Sequence, residues 1–161
     1  MKFDYPDDSL TLHTDAYELN MIESYWREGI ADRNAIFEVY FRDLPFQNGY
    51  AIYAGLERVI QYIQNLNFSE SDLQYLKEEM GYQDDFIEYL RNFKIRLSIR
   101  SMVEGEIVFN NEPLMQIEGP LADCQLVETA ILNIINYQTL IATKAARIRS
   151  VVGDDPLLEF G

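Results

Sequence analysis

The spacing of apolar residues changes along this chain, and that change limits the possible folds more than any other feature. Several segments carry apolar residues three or four positions apart, which is the period of an amphipathic helix, and others alternate apolar with polar residues, which is the period of a strand. A chain of 161 residues is long enough for one hydrophobic core. Because it mixes both periods, it is predicted to fold as α/β.

Helical spacing predicts helices over residues 14–28, from about 55, over 69–81 and over about 84–93. Thr14 is a favourable N-cap for the first of these, and Gly29 suits the position after its end. Ser69 and Asp72 have the spacing of a capping box, so they mark the start of the third helix.

Alternation predicts strands over residues 35–41, 50–53 and 94–100, and the basic outward face of the last is expected to be solvated. The segment EGEIVFNNEPLMQIEGP (104–120) is predicted to form a β-hairpin that turns near Asn110 and Asn111. From Leu121 two helical stretches are predicted, the second from about Tyr137 to Val151. The final LLEFG (157–161) is typical of a buried strand, and the chain is expected to be truncated there.

The amino-acid composition limits the kinds of partner that the protein can bind and the cellular compartment that it can occupy. A net charge of −14 makes nucleic acid and anionic membrane poor partners, and no apolar run approaches the roughly 18 residues that cross a bilayer. The single cysteine, Cys124, cannot form an intrachain disulfide, and the acidic start MKFDYPDDSL is not a targeting signal. These features predict a cytoplasmic protein.

Several kinds of catalytic site are excluded by the residues present. His13 is the only histidine, so neither a histidine-based metal site nor a Ser-His-Asp triad can be assembled. The sequence contains no glycine-rich phosphate loop of the nucleoside-triphosphatase or dinucleotide-binding kind. We therefore assign no catalytic residue and no metal ligand within the chain.

Three co-linear segments resemble a known family. They are LHTDAYELNM (12–21), AIFEVYFRDLPFQNGYAIYAGLERV (35–59) and the stretch from EGEIVF (104–109) to KAARIR (144–149), followed by LLEFG (157–161). In order and spacing they resemble the N-terminal third of nicotinate phosphoribosyltransferases, which belong to the type II phosphoribosyltransferases. The resemblance covers the chain from Leu12 to Gly161.

The resemblance implies a reaction in NAD biosynthesis. Nicotinate attacks C1 of phosphoribosyl pyrophosphate, giving nicotinate mononucleotide and pyrophosphate, with ATP as co-substrate and Mg²⁺ as cofactor. The family couples ATP hydrolysis through a phosphorylated histidine that would lie downstream, and His13 does not match its motif. The resemblance also implies a homodimer whose two subunits share each active site.

The resemblance also implies roles for individual residues. Tyr17, in the Thr-Asp-x-Tyr motif, matches the aromatic that stacks on the pyridine ring from the neighbouring subunit, and Asp15 matches the acid before it. The competing interpretation of Tyr17 is a core aromatic packed on Met21, and that of Asp15 is a first-turn residue that complements the helix dipole.

The remaining candidates carry weaker signals. Phe160 corresponds to the opposite aromatic face, or else to a barrel-core residue, and Gly161 would begin a loop at the end of a barrel strand. Arg42 aligns with a residue that reaches the donor phosphate across the dimer, and Arg147 forms a cationic pair with Lys144 one helical turn before it. For both arginines a solvated surface residue is the alternative.

The architecture implied by the resemblance is an α/β sandwich domain over residues 1–121, connecting helices over 122–152, and the first strand of an incomplete irregular α/β barrel over 153–161. The 161-residue polypeptide alone is expected to lack activity. Two alternatives stay open: a sister enzyme that uses nicotinamide or quinolinate, and a non-catalytic dimerisation module that retains only this domain.

Overall fold

Groups of helices and groups of short strands follow one another along the chain. The computed structural model describes residues 10–47 and 49–158. The helices of that part are α1 (Ala16–Arg27), α2 (Leu56–Asn65), α3 (Glu70–Glu78), α4 (Asp84–Arg91) and α5 (Leu121–Val152). Its strands are β1 (Asn34–Val39), β2 (Ala51–Ile52), β3 (Ser98–Ser101), β4 (Ile107–Val108) and β5 (Met115–Pro120), and a short 3-10 turn covers Pro45–Gln47. The predicted mixed α/β fold is confirmed.

The strands form two small antiparallel sheets. In the first, β5 lies between β1 and β3, and its register places Met115 opposite Val39 and Pro120 opposite Asn34. In the second, β2 pairs with β4. Strands that follow one another in the sequence therefore often belong to different sheets, and most strand pairs join segments that lie far apart in the chain.

The predicted hairpin over residues 104–120 is wrong, because β4 and β5 belong to different sheets. The turn between them is bonded to the end of β1. The backbone N–H of Asn111 donates to the Phe41 carbonyl at 2.8 Å, and the N–H of Leu114 donates to the Val39 carbonyl at 2.8 Å. The chain therefore leaves β4 and crosses to β1 instead of folding back on itself.

The basic strand predicted over residues 94–100 pairs only from Ser98 onward. Before that point, the Arg96 backbone N–H donates to the Asp123 carboxylate at 2.7 Å, and the guanidinium of Arg96 bridges Asp123 and Asp32 at 3.1 and 2.8 Å. Burial raises the pKa of Asp123, and the bonds from Arg96 oppose that rise. Before Ser98, these bonds from Arg96 to Asp123 on α5 take the place of hydrogen bonds to a neighbouring strand.

Helix α5 is one continuous helix, which corrects the two helical stretches predicted from residue 121. No Gly or Pro lies between Leu121 and Val152, so nothing in the backbone interrupts it, and Gly153 at φ +58° follows its end. Its first turns are buried over residues 122–127. The start of this helix, which was predicted to be a connecting segment, therefore shares a core with the sheets and with the preceding helices.

Two apolar cores meet on this helix. One lies between α5, α2 and the sheets and includes Tyr53, Val59 and Ile131. The other lies among α1, α3, α4 and the start of α5, and includes Ile22 and Phe86. Together they fix α1 and the end of β1 against the same face of the molecule.

Helix α5 also completes the edge of β2. The Ile52 N–H donates to the Thr143 hydroxyl at 2.9 Å, and the Ala54 N–H donates to the Thr139 hydroxyl at 3.2 Å. The Thr139 hydroxyl donates in turn to the Ala54 carbonyl at 3.1 Å. Both threonines are fully buried, so a helix supplies the hydrogen bonds that a further strand would otherwise supply.

The strand predicted over residues 157–161 does not begin within the described part, where Leu157 and Leu158 are exposed and belong to no strand. Residues 159–161 lie outside it, and the barrel stays a prediction. Across residues 10–47 and 49–158, no helix combines the length and apolar character needed to span a bilayer.

Gly119 is expected to be required for the close approach of β5 to the segment before β3. A Cβ at this position would lie 2.5 Å from the Arg96 carbonyl oxygen and 2.9 Å from a Leu97 methyl. We expect Gly119→Ala to lower the free energy of unfolding by about 1–3 kcal/mol, since the nearest atom is backbone. Urea denaturation followed by circular dichroism measures the change.

Gly49→Ala is the matched control, because a Cβ there would meet nothing within 4 Å. Its unfolding midpoint should stay close to that of the parent. Equal midpoints for the two variants would contradict the proposed close contact.

Candidate functional site

The first turn of α1 is fixed by local hydrogen bonds. Asp15 is the N-cap, with extended backbone at φ −77° and ψ 144°, which moves the predicted cap by one residue from Thr14. The Glu18 carboxylate accepts hydrogen bonds from the Thr14 hydroxyl and from the Asp15 backbone N–H, the latter at 3.3 Å. Gly29 follows the helix at φ +69°, as the sequence predicted.

An open groove of about 440 Å³ lies where α1, the end of β1 and the middle of α5 meet. Its walls carry two tyrosines from different elements, Tyr17 and Tyr40, together with polar and acidic groups. The lining residues are Asp15 and Tyr17 at the start of α1, Val39, Tyr40 and Phe41 at and just beyond the end of β1, and Glu128, Thr129, Leu132, Asn133, Ile135 and Asn136 from α5.

Tyr17 lies on this groove with 52% of its surface exposed, so it is not the core residue of the competing interpretation. Tyr40 is 46% exposed on the same groove. Desolvation raises the pKa of the Tyr17 phenol, and the negative charges of Glu128, Glu18 and Asp15 raise it further. Tyr17 is therefore a neutral aromatic surface at physiological pH.

Carboxylates dominate the charge of the groove. The Thr129 hydroxyl on α5 donates to the Asp15 carboxylate at 3.1 Å, which ties α1 to α5. The Gln125 amide donates to the Glu128 carboxylate at 2.9 Å, while burial and the charge of Glu18 raise the pKa of Glu128. No Lys or Arg of the described residues lines the groove. By itself this surface does not attract an anion.

The predicted basic residues lie outside the groove. Arg42 is exposed and follows Phe41, so it lies just beyond one wall. Arg147 is 11 residues beyond Asn136 on α5, roughly 16 Å along the helix at 1.5 Å per residue. Its guanidinium lies 5.5 Å from the ring centroid of Phe46. The structure thus brings Asp15 and Tyr17 together and keeps Arg147, with Lys144, apart from them.

Two predicted site residues, Phe160 and Gly161, lie outside the part of the chain that the structure describes. The role of Phe160 as the opposite face of a bound ring and that of Gly161 at the start of a loop stay predictions. His13 is described and exposed.

Sequence reasoning missed several residues that line the groove, chiefly Tyr40, Glu128 and Asn133. Tyr40 lies within the strand predicted over residues 35–41, and an aromatic residue two positions before Arg42 was the signal available. Glu128 and Asn133 gave no local signal, because only the packing of α5 against α1 places them beside Tyr17.

Comparisons with known proteins agree with the resemblance. The family model described as the nicotinate phosphoribosyltransferase N-terminal domain matches residues 12–136. The chain is 60% identical to the nicotinate phosphoribosyltransferase of Bacillus subtilis, over 100% of this chain and 33% of that protein. It is 44% identical to the Caenorhabditis elegans protein of the same name, over 93% of this chain and 27% of that protein.

Solved structures give the same result. The crystal structure of human nicotinic acid phosphoribosyltransferase matches with a TM-score of 0.82 and 36% identity, covering 92% of this chain and 30% of that chain. The nicotinate-nucleotide pyrophosphorylase of Pyrococcus furiosus, at 24% identity and a TM-score of 0.71, shares the fold. The chain spans about a third of the length of the curated relatives it matches.

Proposed function

The chain belongs to the nicotinate phosphoribosyltransferase family, and we propose that its full-length protein converts nicotinate and phosphoribosyl pyrophosphate into nicotinate mononucleotide and pyrophosphate in NAD biosynthesis. The observation that carries this proposal is the position of Tyr17. The tyrosine of the Thr-Asp-Ala-Tyr segment is half exposed on a groove, although helical spacing alone would have placed it in the core. This supports a role in binding a ligand.

An aromatic acid such as nicotinate requires a flat apolar surface on each side of its ring. Tyr17 offers one such surface, and its raised pKa keeps the phenol neutral, so it adds no negative charge beside the substrate. Phe160 is the proposed opposite face. Asp15, bonded to Thr129, holds the start of α1 in place beside the ring.

The charge of the groove supports a site that residues outside the groove complete. Nicotinate and the phosphoribosyl donor are anions, whereas the groove carries Asp15 and Glu128 and no basic residue from the described part of the chain. Cations must therefore reach the substrates from elsewhere in the assembly. We assign Arg42 and Arg147 to donor phosphates, each acting from the surface it occupies on one subunit toward a site completed by the other.

ATP and Mg²⁺ belong to the proposal for the full-length protein. Among residues 10–47 and 49–158, no three His, Cys, Asp or Glu side chains converge as metal ligands. The irregular barrel and the cytoplasmic location are likewise proposed for the full-length protein.

Replacing Tyr17 tests the proposed stacking. In the full-length protein, we expect Tyr17→Ala to raise the KM for nicotinate about tenfold, which is the scale of a lost aromatic contact, and Tyr17→Phe to stay near the parent value. Steady-state formation of nicotinate mononucleotide measures both. Tyr75→Ala is the control, because Tyr75 is similarly exposed, at 50%, on α3 outside the groove.

An unchanged nicotinate KM in Tyr17→Ala would remove Tyr17 from the site. Running the same assay with nicotinamide and quinolinate distinguishes the sister enzymes. Absence of turnover with all three pyridines would favour a non-catalytic dimerisation module.

Replacing Arg42 tests the proposed contact with the donor phosphate separately from the proposed contact of Tyr17 with nicotinate. We expect Arg42→Ala to raise the KM for phosphoribosyl pyrophosphate roughly tenfold or more, since hydrogen bonds to charged groups are among the stronger contacts, and to leave the nicotinate KM nearly unchanged. Arg33→Ala is the matched control, because Arg33 is exposed just before the opposite end of β1. Equal donor KM values for the two variants would identify Arg42 as a solvated surface residue.

A further inference from the structure

Glu18 is a carboxylate buried where an apolar side chain would be expected. It lies in the first turn of α1 with 0% of its surface exposed. One carboxylate oxygen, Oε2, accepts from the Thr14 hydroxyl and the Asp15 backbone N–H. The other, Oε1, has no hydrogen-bond partner among the described residues. A buried carboxylate with a vacant acceptor is costly, so its presence calls for a role.

The groups around Glu18 make this position more costly. The Tyr62 hydroxyl on α2 is also buried and without a hydrogen-bond partner within residues 10–47 and 49–158, and burial together with the charge of Glu18 raises its pKa. On α5, the charge of Glu18 is one of the causes that raise the pKa of Glu128. The N-terminus of α1 offsets part of this cost, because its free N–H groups and the positive end of the helix dipole lie close to the Glu18 carboxylate.

The two hydrogen bonds accepted by Oε2 of Glu18 affect the surface of the protein, because they hold the first turn of α1 beside the groove. Thr14 and Asp15 immediately precede α1, and Tyr17 is its second residue, so the direction of the Tyr17 ring depends on how the first turn is held. Asp15 then reaches Thr129 on α5 at 3.1 Å. Glu18 thus holds from the inside the same turn that carries Asp15 and Tyr17 on the groove.

We propose that Glu18 is a positioning residue for pyridine binding: it fixes the start of α1 through Thr14 and Asp15, and so holds Tyr17 in the orientation that receives the ring. This inference rests on the proposed function. It requires the acceptor oxygen of Glu18 and not its negative charge. A glutamine has nearly the same shape and keeps one acceptor oxygen for Thr14 and Asp15.

The test compares Glu18→Leu with Glu18→Gln in the full-length protein, well below the unfolding temperature of each. We expect Glu18→Leu to raise the KM for nicotinate up to about tenfold, as for a misplaced aromatic contact, with the KM for phosphoribosyl pyrophosphate unchanged. Glu18→Gln should stay within about twofold of the parent for both substrates, since it keeps the acceptor. Tyr62→Phe is the control, because it removes a neighbouring buried hydroxyl that bonds neither Thr14 nor Asp15.

Thr14→Val keeps the test decisive if Glu18→Leu does not fold, because it removes one of the donors and leaves Glu18 in place. It should raise the nicotinate KM in the same direction. A parallel rise in both KM values, an unchanged nicotinate KM in both Glu18→Leu and Thr14→Val, or a Glu18→Gln variant as impaired as Glu18→Leu would overturn the proposal.

A second measurement separates this inference from the proposed function. Amide hydrogen exchange of the substrate-free protein reports the Asp15 N–H directly, and its exchange should accelerate in Glu18→Leu but not in Glu18→Gln. If the parent protein shows no turnover, accelerated exchange retains the role of Glu18 in holding α1 while the assigned reaction fails. Unchanged exchange in Glu18→Leu would refute the positioning role whatever the enzyme does.

Discussion

The burial of the first half of α5 is the constraint on which the rest of the structure depends. Over residues 122–127 every side chain is buried, because the helix is packed against the three-stranded sheet on one side and against α1 on another. Even its acidic residue, Asp123, is held inside by Arg96. Both apolar cores include residues of this helix, so the sheets and the helical cluster cannot move apart without exposing it.

The groove follows from this arrangement. Helix α5 forms its floor, α1 and the end of β1 form its walls, and each of these elements is fixed to the others by packing or by a long-range bond such as that of Thr129 to Asp15. A side chain that stacks on a substrate ring must be held at a fixed distance from it, which requires a rigid frame of this kind. Arg42 is exposed just outside this frame, at the position assigned above to the proposed contact with the donor phosphate.

Local signals in the sequence predicted most elements. The Ser69–Asp72 capping box, Gly29 after α1 and the alternation of β1 are all confirmed, because each depends on residues close in the chain. The predicted hairpin is wrong because β5 pairs with strands whose partner residues lie 14 or more positions away, and the core decides which strands pair. At the site, the motif indicated Asp15 and Tyr17, whereas Tyr40 and Glu128 depend on tertiary packing.

The charge of the groove constrains how the proposed substrate can enter. Asp15 and Glu128 repel the carboxylate of nicotinate, so the ring is favoured with its acid directed away from these residues and toward cations held elsewhere. Tyr17 can contact the ring face in either orientation, because a neutral phenol does not discriminate the charge at the ring edge. Stacking on Tyr17 would then supply binding affinity, while repulsion from Asp15 and Glu128 would determine the orientation of the ring. Under the proposed reaction, the acidic surface orients the anion that it repels, which makes the carboxylates of this domain part of the substrate specificity.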